Sequence, residues 1–179
     1  MADQQRMFGD RGAAGDINLR AMLDRAPRSP MAGCAFHDMR ERLRKVGLRP
    51  TRQRLMLGWL LFAKGHRHVS AEMLYEEATR AKAAVSLATV YNTLHQFTEA
   101  GLLKQLALDG TKSYFDTNVT DHHHYFIEDE QVLVDIPPGE LDVRVVPNVP
   151  AHFELRDVEV IVRVRRRDRL ALARTSGEA

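Results

Sequence analysis

The sequence has little of what marks secreted, disulfide-bonded or membrane proteins. Its 179 residues include a single cysteine, Cys34, which excludes an intramolecular disulfide and a four-cysteine zinc site. No apolar run reaches the ~18 residues that a transmembrane helix needs. The first residues carry Asp3 and Asp10 without an apolar stretch, unlike a secretory signal. We therefore expect a soluble cytoplasmic protein that does not partner a membrane.

Charge is nearly balanced in total but strongly segregated along the chain. The 26 Lys and Arg residues face 24 Asp and Glu residues. Residues 38–70 carry a net charge of +7, residues 115–160 carry −9, and residues 161–179 carry +4. A basic block followed by an acidic block predicts one half that binds a polyanion and another half with a different task.

The first half of the chain has helical periodicity. Residues 1–37 are rich in glycine, proline and scattered charge and are predicted to be a mobile extension. Apolar residues at helical spacing then predict a helix that ends at Gly47 and a second one that stops near Gly65. Ser70 and Ser86 are good N-caps for a third and a fourth helix, and Gly101 ends the fourth.

After Gly101 the apolar period changes to two. Segments 103–108 and 113–115 are predicted strands, joined by the hairpin signal Asp109-Gly110. Helices followed by a hairpin are the order of a winged helix-turn-helix, which we place at 38–115.

The second half of the chain is predicted to be mostly strands, at 125–127, 132–136 and, as one long strand, 158–164. So small a unit does not easily stand alone, and pairing with a second copy would bury its apolar face. The predicted fold class is α+β, with an N-terminal winged helix-turn-helix and a small α/β dimerisation domain. That second domain spans 116–170, and a tail covers 171–179.

The fourth helix has the composition of a recognition helix. Short side chains allow close approach to the major groove, and a few donors reach base edges or phosphates. The predicted contacts on this helix are Ser86, Ala88, Thr89, Tyr91 and Asn92. The predicted phosphate contacts are Arg49, Arg52, Arg54, Lys104 and Lys112. The alternative is a helix with one solvated face, and the preceding capped helix and following hairpin favour DNA binding.

Several motifs in order resemble the ferric uptake regulator (Fur) family. They are Gly47 to Arg54, His68 to Tyr75, Ser86 to Leu94 and Glu99 to Leu102. The resemblance implies a homodimeric, metal-sensing repressor that binds double-stranded DNA and is not an enzyme. It also implies that His68 and Asp116 flank the hinge between domains, where ligands from both sides let a metal set the angle of the DNA-binding heads.

His122-His123-His124 is the richest ligand cluster in the sequence. Imidazole suits iron, zinc and manganese, and it also ligates haem iron. On a strand His122 and His124 share a face and His123 points the other way. A solvated histidine run is the alternative. The predicted metal ligands are His68, Asp116, His122 and His124; the predicted haem ligands are the three adjacent histidines and Cys34.

The chain departs from the typical family pattern. The places of the Cys-x-x-Cys pair look like Glu128 and Gln131, so the structural cysteine zinc site is predicted absent. Three histidines without thiolates resemble the iron response regulator (Irr) subgroup of alphaproteobacteria. That resemblance implies control of iron homeostasis and haem synthesis genes at low iron, modulation by haem or a metal, and a haem-delivering partner. The alternatives are a zinc- or peroxide-responsive repressor that metal activates, a metalloenzyme, and a histidine-rich metal carrier.

Overall fold

The computed structural model describes residues 35–108, 112–144 and 148–166. Its helices are α1 (Ala35–Lys45), α2 (Arg52–Phe62), α3 (Ala71–Arg80) and α4 (Leu87–Glu99). Its strands are β1 (His68–Ser70), β2 (Lys104–Ala107), β3 (Ser113–Asp116), β4 (His124–Ile127), β5 (Val132–Asp135) and β6 (Ile161–Val164). The predicted α+β class is confirmed. Cys34, the Asp109-Gly110 turn and the 171–179 tail lie outside the described residues.

Three of the four helices begin at side-chain caps. The hydroxyls of Thr51, Ser70 and Ser86 accept hydrogen bonds from backbone N–H groups three residues on, at 3.3, 3.3 and 3.1 Å. Each cap satisfies an N–H group that has no partner within its helix. Gly101 ends α4 with a φ of +70°, a conformation that glycine adopts without a steric penalty. The predicted caps and stops are confirmed, and α1 begins at Ala35, inside the predicted extension.

The helices bury a common apolar core. Val90, Leu94 and Phe97 of α4 have no exposed surface, as the helical spacing predicts. The helices α1 and α2 approach closely at Gly58, where an added Cβ would lie 2.6 Å from the Met39 sulfur. Burying one face of α4 in this way fixes its orientation and leaves the opposite face outward.

The first sheet has the strand order β1-β3-β2 and is antiparallel throughout. The β2–β3 pair is the predicted wing. The short strand β1 is not predicted from the sequence, where Ser70 indicates only a helix cap. It pairs with β3 so that His68 lies opposite Asp116. This register brings His68, which precedes α3, next to Asp116, the last residue of the wing strand β3.

The second sheet has the strand order β5-β4-β6, with β4 antiparallel to β5 and parallel to β6. The predicted long strand at 158–164 is wrong in length, because only Ile161–Val164 is a strand. Its partner β4 has four residues, so the preceding residues find no further strand to pair with. Within 137–144 and 148–160 the structure has no helix.

A small apolar cluster joins the two sheets. Leu106 and Tyr114 of the wing pack with Phe126 and Leu133 of the second sheet. The Tyr114 hydroxyl donates a 2.9 Å hydrogen bond to the Gln131 carbonyl across the same junction. The wing is therefore packed against the second sheet. Among the described residues, no helix is long and apolar enough to cross a lipid bilayer.

Candidate metal centre and nucleic-acid interface

Five ionisable side chains converge where the two sheets meet. They are His68, Asp116, His122, His124 and Asp135, and one potential ligand atom from each lies within 4.8 Å of all the others. The two strand registers create the cluster, since β1 and β3 pair His68 with Asp116 while β4 and β5 pair His124 with Asp135. We call these five residues the metal centre.

The two carboxylates each contact all three imidazoles of the metal centre. Asp116 Oδ2 lies 2.9 Å from His122 Nε2, 3.4 Å from His68 Nε2 and 3.5 Å from His124 Nε2. Asp135 Oδ1 lies 3.1, 3.4 and 3.9 Å from the Nε2 atoms of His68, His122 and His124. Asp116 and His124 have no exposed surface. The cluster is therefore compact and largely buried, with Asp135 at its more exposed side.

The three imidazole Nε2 atoms and two carboxylate oxygens of the metal centre point toward one another, as ligands do around a metal ion. All five atoms are buried and, within the part of the chain that the structure describes, none has a hydrogen-bond partner. Leaving buried polar atoms unsatisfied is costly, and a coordinated cation would satisfy all five at once. The residues present therefore fit a metal ion.

Electrostatics within the metal centre favour charged groups. Burial lowers the pKa of His68, but the Asp116 and Asp135 carboxylates outweigh it and raise that pKa to about 9. The Asp116 carboxylate, with Asp135, raises the pKa of His122 to about 10. Burial works against ionisation of Asp116 and Asp135, yet the imidazoles hold the pKa of both carboxyls well below the usual range. These shifts favour protonated His68 and His122 beside ionised carboxylates when no metal is bound.

The donor set limits which metals suit the metal centre. Three imidazole nitrogens and two carboxylate oxygens, with no thiolate, suit Fe²⁺, Mn²⁺ and Zn²⁺ more than soft Cu⁺. Structural zinc sites are almost always four-coordinate and often contain cysteine. A five-residue set of nitrogen and oxygen donors is better matched to Fe²⁺ or Mn²⁺.

The structure brings together all four predicted metal ligands and adds one. Asp135 was missed, although the predicted strands at 125–127 and 132–136 place it opposite His124 once the hairpin register is counted. His123 turns away from the metal centre, as strand alternation predicts, and its Nδ1 accepts a 3.3 Å hydrogen bond from the Val160 N–H. The three adjacent histidines therefore do not face one ligand together.

The outward face of α4 carries the predicted base-reading residues. Ala88, Tyr91 and Asn92 are exposed, Thr89 is half-buried, and Ser86 is exposed at the start of the helix. The Tyr91 hydroxyl donates a 2.5 Å hydrogen bond to Glu72 of α3, which fixes the ring at the helix surface. This face combines small residues with polar side chains, the composition expected of a helix that reads the major groove.

The basic residues predicted to hold phosphates fall into two groups. Arg49, Arg52 and Lys112 are exposed. Arg54 instead donates from Nε and Nη2 to Gln96 Oε1 at 3.1 and 2.9 Å, and from Nη1 to the Arg49 carbonyl at 2.8 Å. Lys104 Nζ lies 2.6 Å from Asp157 Oδ2 and 3.8 Å from Glu159 Oε1. The charges of Arg54 and Lys104 are thus engaged within the chain.

A winged helix with an outward-facing fourth helix and a buried His/Asp centre defines a class of metal-sensing DNA-binding regulators. A sequence model of the Ferric uptake regulator family matches residues 45–137, and the chain belongs to that family. The family is one of transcription regulators and not of enzymes.

Two named relatives show the range of the similarity. The ferric uptake regulation protein of Pseudomonas aeruginosa is 34% identical over 127 residues, which are 70% of this chain and 95% of the relative. The peroxide-responsive repressor PerR of Staphylococcus epidermidis is 34% identical over 100 residues, which are 56% of this chain and 66% of that protein.

Solved structures agree with the family assignment. The ferric uptake regulator from Pseudomonas aeruginosa with manganese is 31% identical, with a TM-score of 0.57, and the match covers 73% of this chain and 98% of that one. The Vibrio cholerae ferric uptake regulator has a TM-score of 0.56 at 22% identity, over 70% and 98% of the two chains, and shows the fold alone.

Proposed function

We propose that this protein is a transcription regulator that binds duplex DNA as a homodimer and changes its affinity when a divalent cation occupies the metal centre. The observation that carries the proposal is the set of five buried ligand atoms that converge without hydrogen-bond partners among the described residues. The manganese-bound structure of the Pseudomonas aeruginosa relative supports Mn²⁺ as a suitable probe.

The metal centre joins the two halves of the protein. His68 and Asp116 belong to the sheet that contains the wing, whereas His124 and Asp135 belong to the second sheet. A bound cation supplies positive charge that the imidazolium protons otherwise provide. The same side chains then hold the two sheets through neutral imidazoles and carboxylates rather than through charge pairs. Binding of a cation to the metal centre therefore changes the contacts that hold the winged helix against the second sheet.

We place α4 in the major groove, with Ala88, Thr89, Tyr91 and Asn92 at base edges and Arg52 and Lys112 at phosphates. Arg52, Lys112 and, on α4, Ala88, Tyr91 and Asn92 are exposed and Thr89 is half-buried, which supports this placement. Two such helices read half-sites about one helical turn, ~34 Å, apart only when the dimer presents them at matching spacing and angle.

We place the dimer contact on the second sheet and the segment before β6. Strand β6 lies at an edge of that sheet, and Phe153 and Leu155 are 74% and 51% exposed. A second copy would cover this apolar surface and the outer edge of β6, which has no partner strand among the described residues.

The predicted Irr subgroup and its alternative differ in whether metal lowers or raises the affinity for the operator. An Irr-type regulator of iron and haem genes binds its operator at low iron and is released by haem or metal, whereas the zinc- or peroxide-responsive alternative binds better with metal. For haem to ligate His124, the cluster has to open first, because that ring has no exposed surface. A compact ion fits the closed centre without such a change.

The test compares operator affinity with and without metal. An operator selected from a random duplex library is titrated with metal-free and Mn²⁺-loaded protein by fluorescence anisotropy. We expect at least about a ten-fold change in Kd, a coupling of ~1.4 kcal/mol, and no change in a His122→Ala, His124→Ala double variant. Tyr91→Ala with Asn92→Ala is the matched control, which loses operator affinity but keeps Mn²⁺ binding. An unchanged Kd in the wild type contradicts the proposal, and a parallel haem titration tests the subgroup prediction.

A further inference from the structure

Glu159 lies between the metal centre and the wing and belongs to neither. Its Oε1 is buried, 3.3 Å from His124 Nδ1 and 3.8 Å from Lys104 Nζ. Lys104 opens wing strand β2 and pairs in register with the metal-centre residue Asp116. This one carboxylate therefore contacts the sensing half and the DNA-binding half together.

We propose that Glu159 is a positioning residue that couples occupancy of the metal centre to the wing. The proposal rests on the proposed function above and adds the route by which the cation acts. Glu159 orients His124 from its far side and, through Lys104, carries the effect to β2.

The two ring nitrogens of His124 face opposite sides. Its Nε2 faces Asp116 and Asp135 inside the metal centre, while its Nδ1 faces Glu159. Both nitrogens are buried without a hydrogen-bond partner in the described parts of the chain. Ligation through Nε2 requires the remaining proton to sit on Nδ1, and in the proposed metal-bound state this N–H donates a hydrogen bond to Glu159 Oε1, which lies 3.3 Å away. Such a carboxylate fixes the tautomer of a ligating histidine and strengthens it as a ligand.

The segment that contains Glu159 is bonded to both β4 and β2. The neighbouring Val160 is tied to the second sheet, since its carbonyl accepts from the His124 N–H at 3.0 Å and its N–H donates to His123 Nδ1 at 3.3 Å. Asp157 holds Lys104 at 2.6 Å from the same segment. The segment 157–160 thus links β4 to β2. Drawing the Glu159 carboxylate toward His124 weakens its pull on Lys104 and shifts the balance of contacts on the wing.

The test measures metal affinity and coupling separately in Glu159→Ala, Glu159→Gln and Asp157→Asn. Mn²⁺ affinity is taken from competition with a chelating dye. Coupling is the ratio of operator Kd values for metal-free and Mn²⁺-loaded protein. Glu159→Ala should bind Mn²⁺ about 10 to 100 times more weakly, the usual cost of losing an outer-shell partner, and its ratio should fall toward one at saturating Mn²⁺.

The two other variants separate the two contacts of Glu159. Glu159→Gln keeps an oxygen that accepts from His124 Nδ1, so Mn²⁺ affinity should stay within about three-fold of wild type. Its coupling should fall, because the neutral amide no longer attracts Lys104. Asp157→Asn should leave Mn²⁺ affinity unchanged and retain coupling, because the proposed route from His124 to Lys104 runs through Glu159. Coupling that is lost in Asp157→Asn but kept in Glu159→Gln would overturn the inference.

The possible outcomes are distinguishable. If wild-type protein responds to Mn²⁺ and Glu159→Ala matches it in affinity and coupling, this inference is wrong while the proposed function stands. If wild-type protein itself shows no response, the proposed function fails first. Thermal unfolding without metal checks that each variant folds. If Glu159→Ala does not fold, Glu159→Gln decides alone, and unchanged coupling in it overturns the inference.

Discussion

Binding of a cation to the metal centre should release protons and depend steeply on pH. The carboxylates of Asp116 and Asp135 raise the pKa of His68 to about 9 and that of His122 to about 10. We therefore expect both imidazoles to hold a proton near neutral pH in the metal-free protein. Since a ligating nitrogen must give up its proton, one cation should displace about two protons. The apparent association constant should then rise ~100-fold per pH unit around pH 7.

Metal affinity should rise with pH because the pKa values of His68 and His122 are raised. Protons compete with the metal below the raised pKa values, so affinity falls as pH falls. As pH rises through about 9 to 10 the imidazoles lose their protons unaided, and the slope should flatten. The same protonated imidazoles stabilise the metal-free fold at lower pH, and that contribution is lost over the same rise.

Titration calorimetry with Mn²⁺ in buffers of different ionisation enthalpy measures the number of protons released. We expect about two per cation near pH 7. His66→Ala is the matched control, because this exposed histidine lies outside the metal centre and its removal should leave the count unchanged. A count near zero would refute the reasoning, since it would mean that His68 and His122 are unprotonated before the metal arrives.

Three further predictions concern DNA binding and stability. Arg52→Ala should reduce the slope of log affinity for the operator against log salt concentration by about one unit, as expected for a lost phosphate contact. Arg54→Ala should weaken operator binding without changing this slope, because Arg54 is hydrogen-bonded to Gln96 of α4 and holds that helix instead of a phosphate. Anisotropy titrations over a salt series check both, and equal slope changes would contradict the distinction. Ser86→Ala should cost about 1 kcal/mol in urea unfolding, because the hydroxyl caps α4; an unchanged midpoint would argue against the cap. Phe97→Ala, in the fully buried core, should cost ~3–5 kcal/mol in the same assay, and a loss below ~1 kcal/mol would contradict its packing role.

Local signals in the sequence were sufficient for the helical half. Hydroxyl caps and helical spacing act within one turn, so the start of α4 at Ser86 and its end before Gly101 follow from neighbouring residues. The opposed directions of His123 and its two neighbours match the alternation expected of a strand, although β4 begins only at His124. For such features the physics is local and needs no knowledge of the partner element.

Features that depend on pairing between distant segments were predicted less well. Alternating apolar residues at 158–164 indicate extended chain, but the length of a strand is set by its partner, and β4 offers four residues. The strand at His68 exists only because β3 pairs with it. Asp135 is one of many carboxylates in the acidic half, and only the register of the hairpin distinguishes it. Lys104 forms its ion pair with Asp157, which lies more than fifty residues later in the sequence.

The most direct measurement of the central claim is an anomalous scattering map from crystals grown with Mn²⁺. The account predicts one strong peak per chain, coordinated by His68, Asp116, His122, His124 and Asp135. A map with no manganese among these five side chains, or with the ion bound elsewhere, would contradict the claim that they form the sensing site.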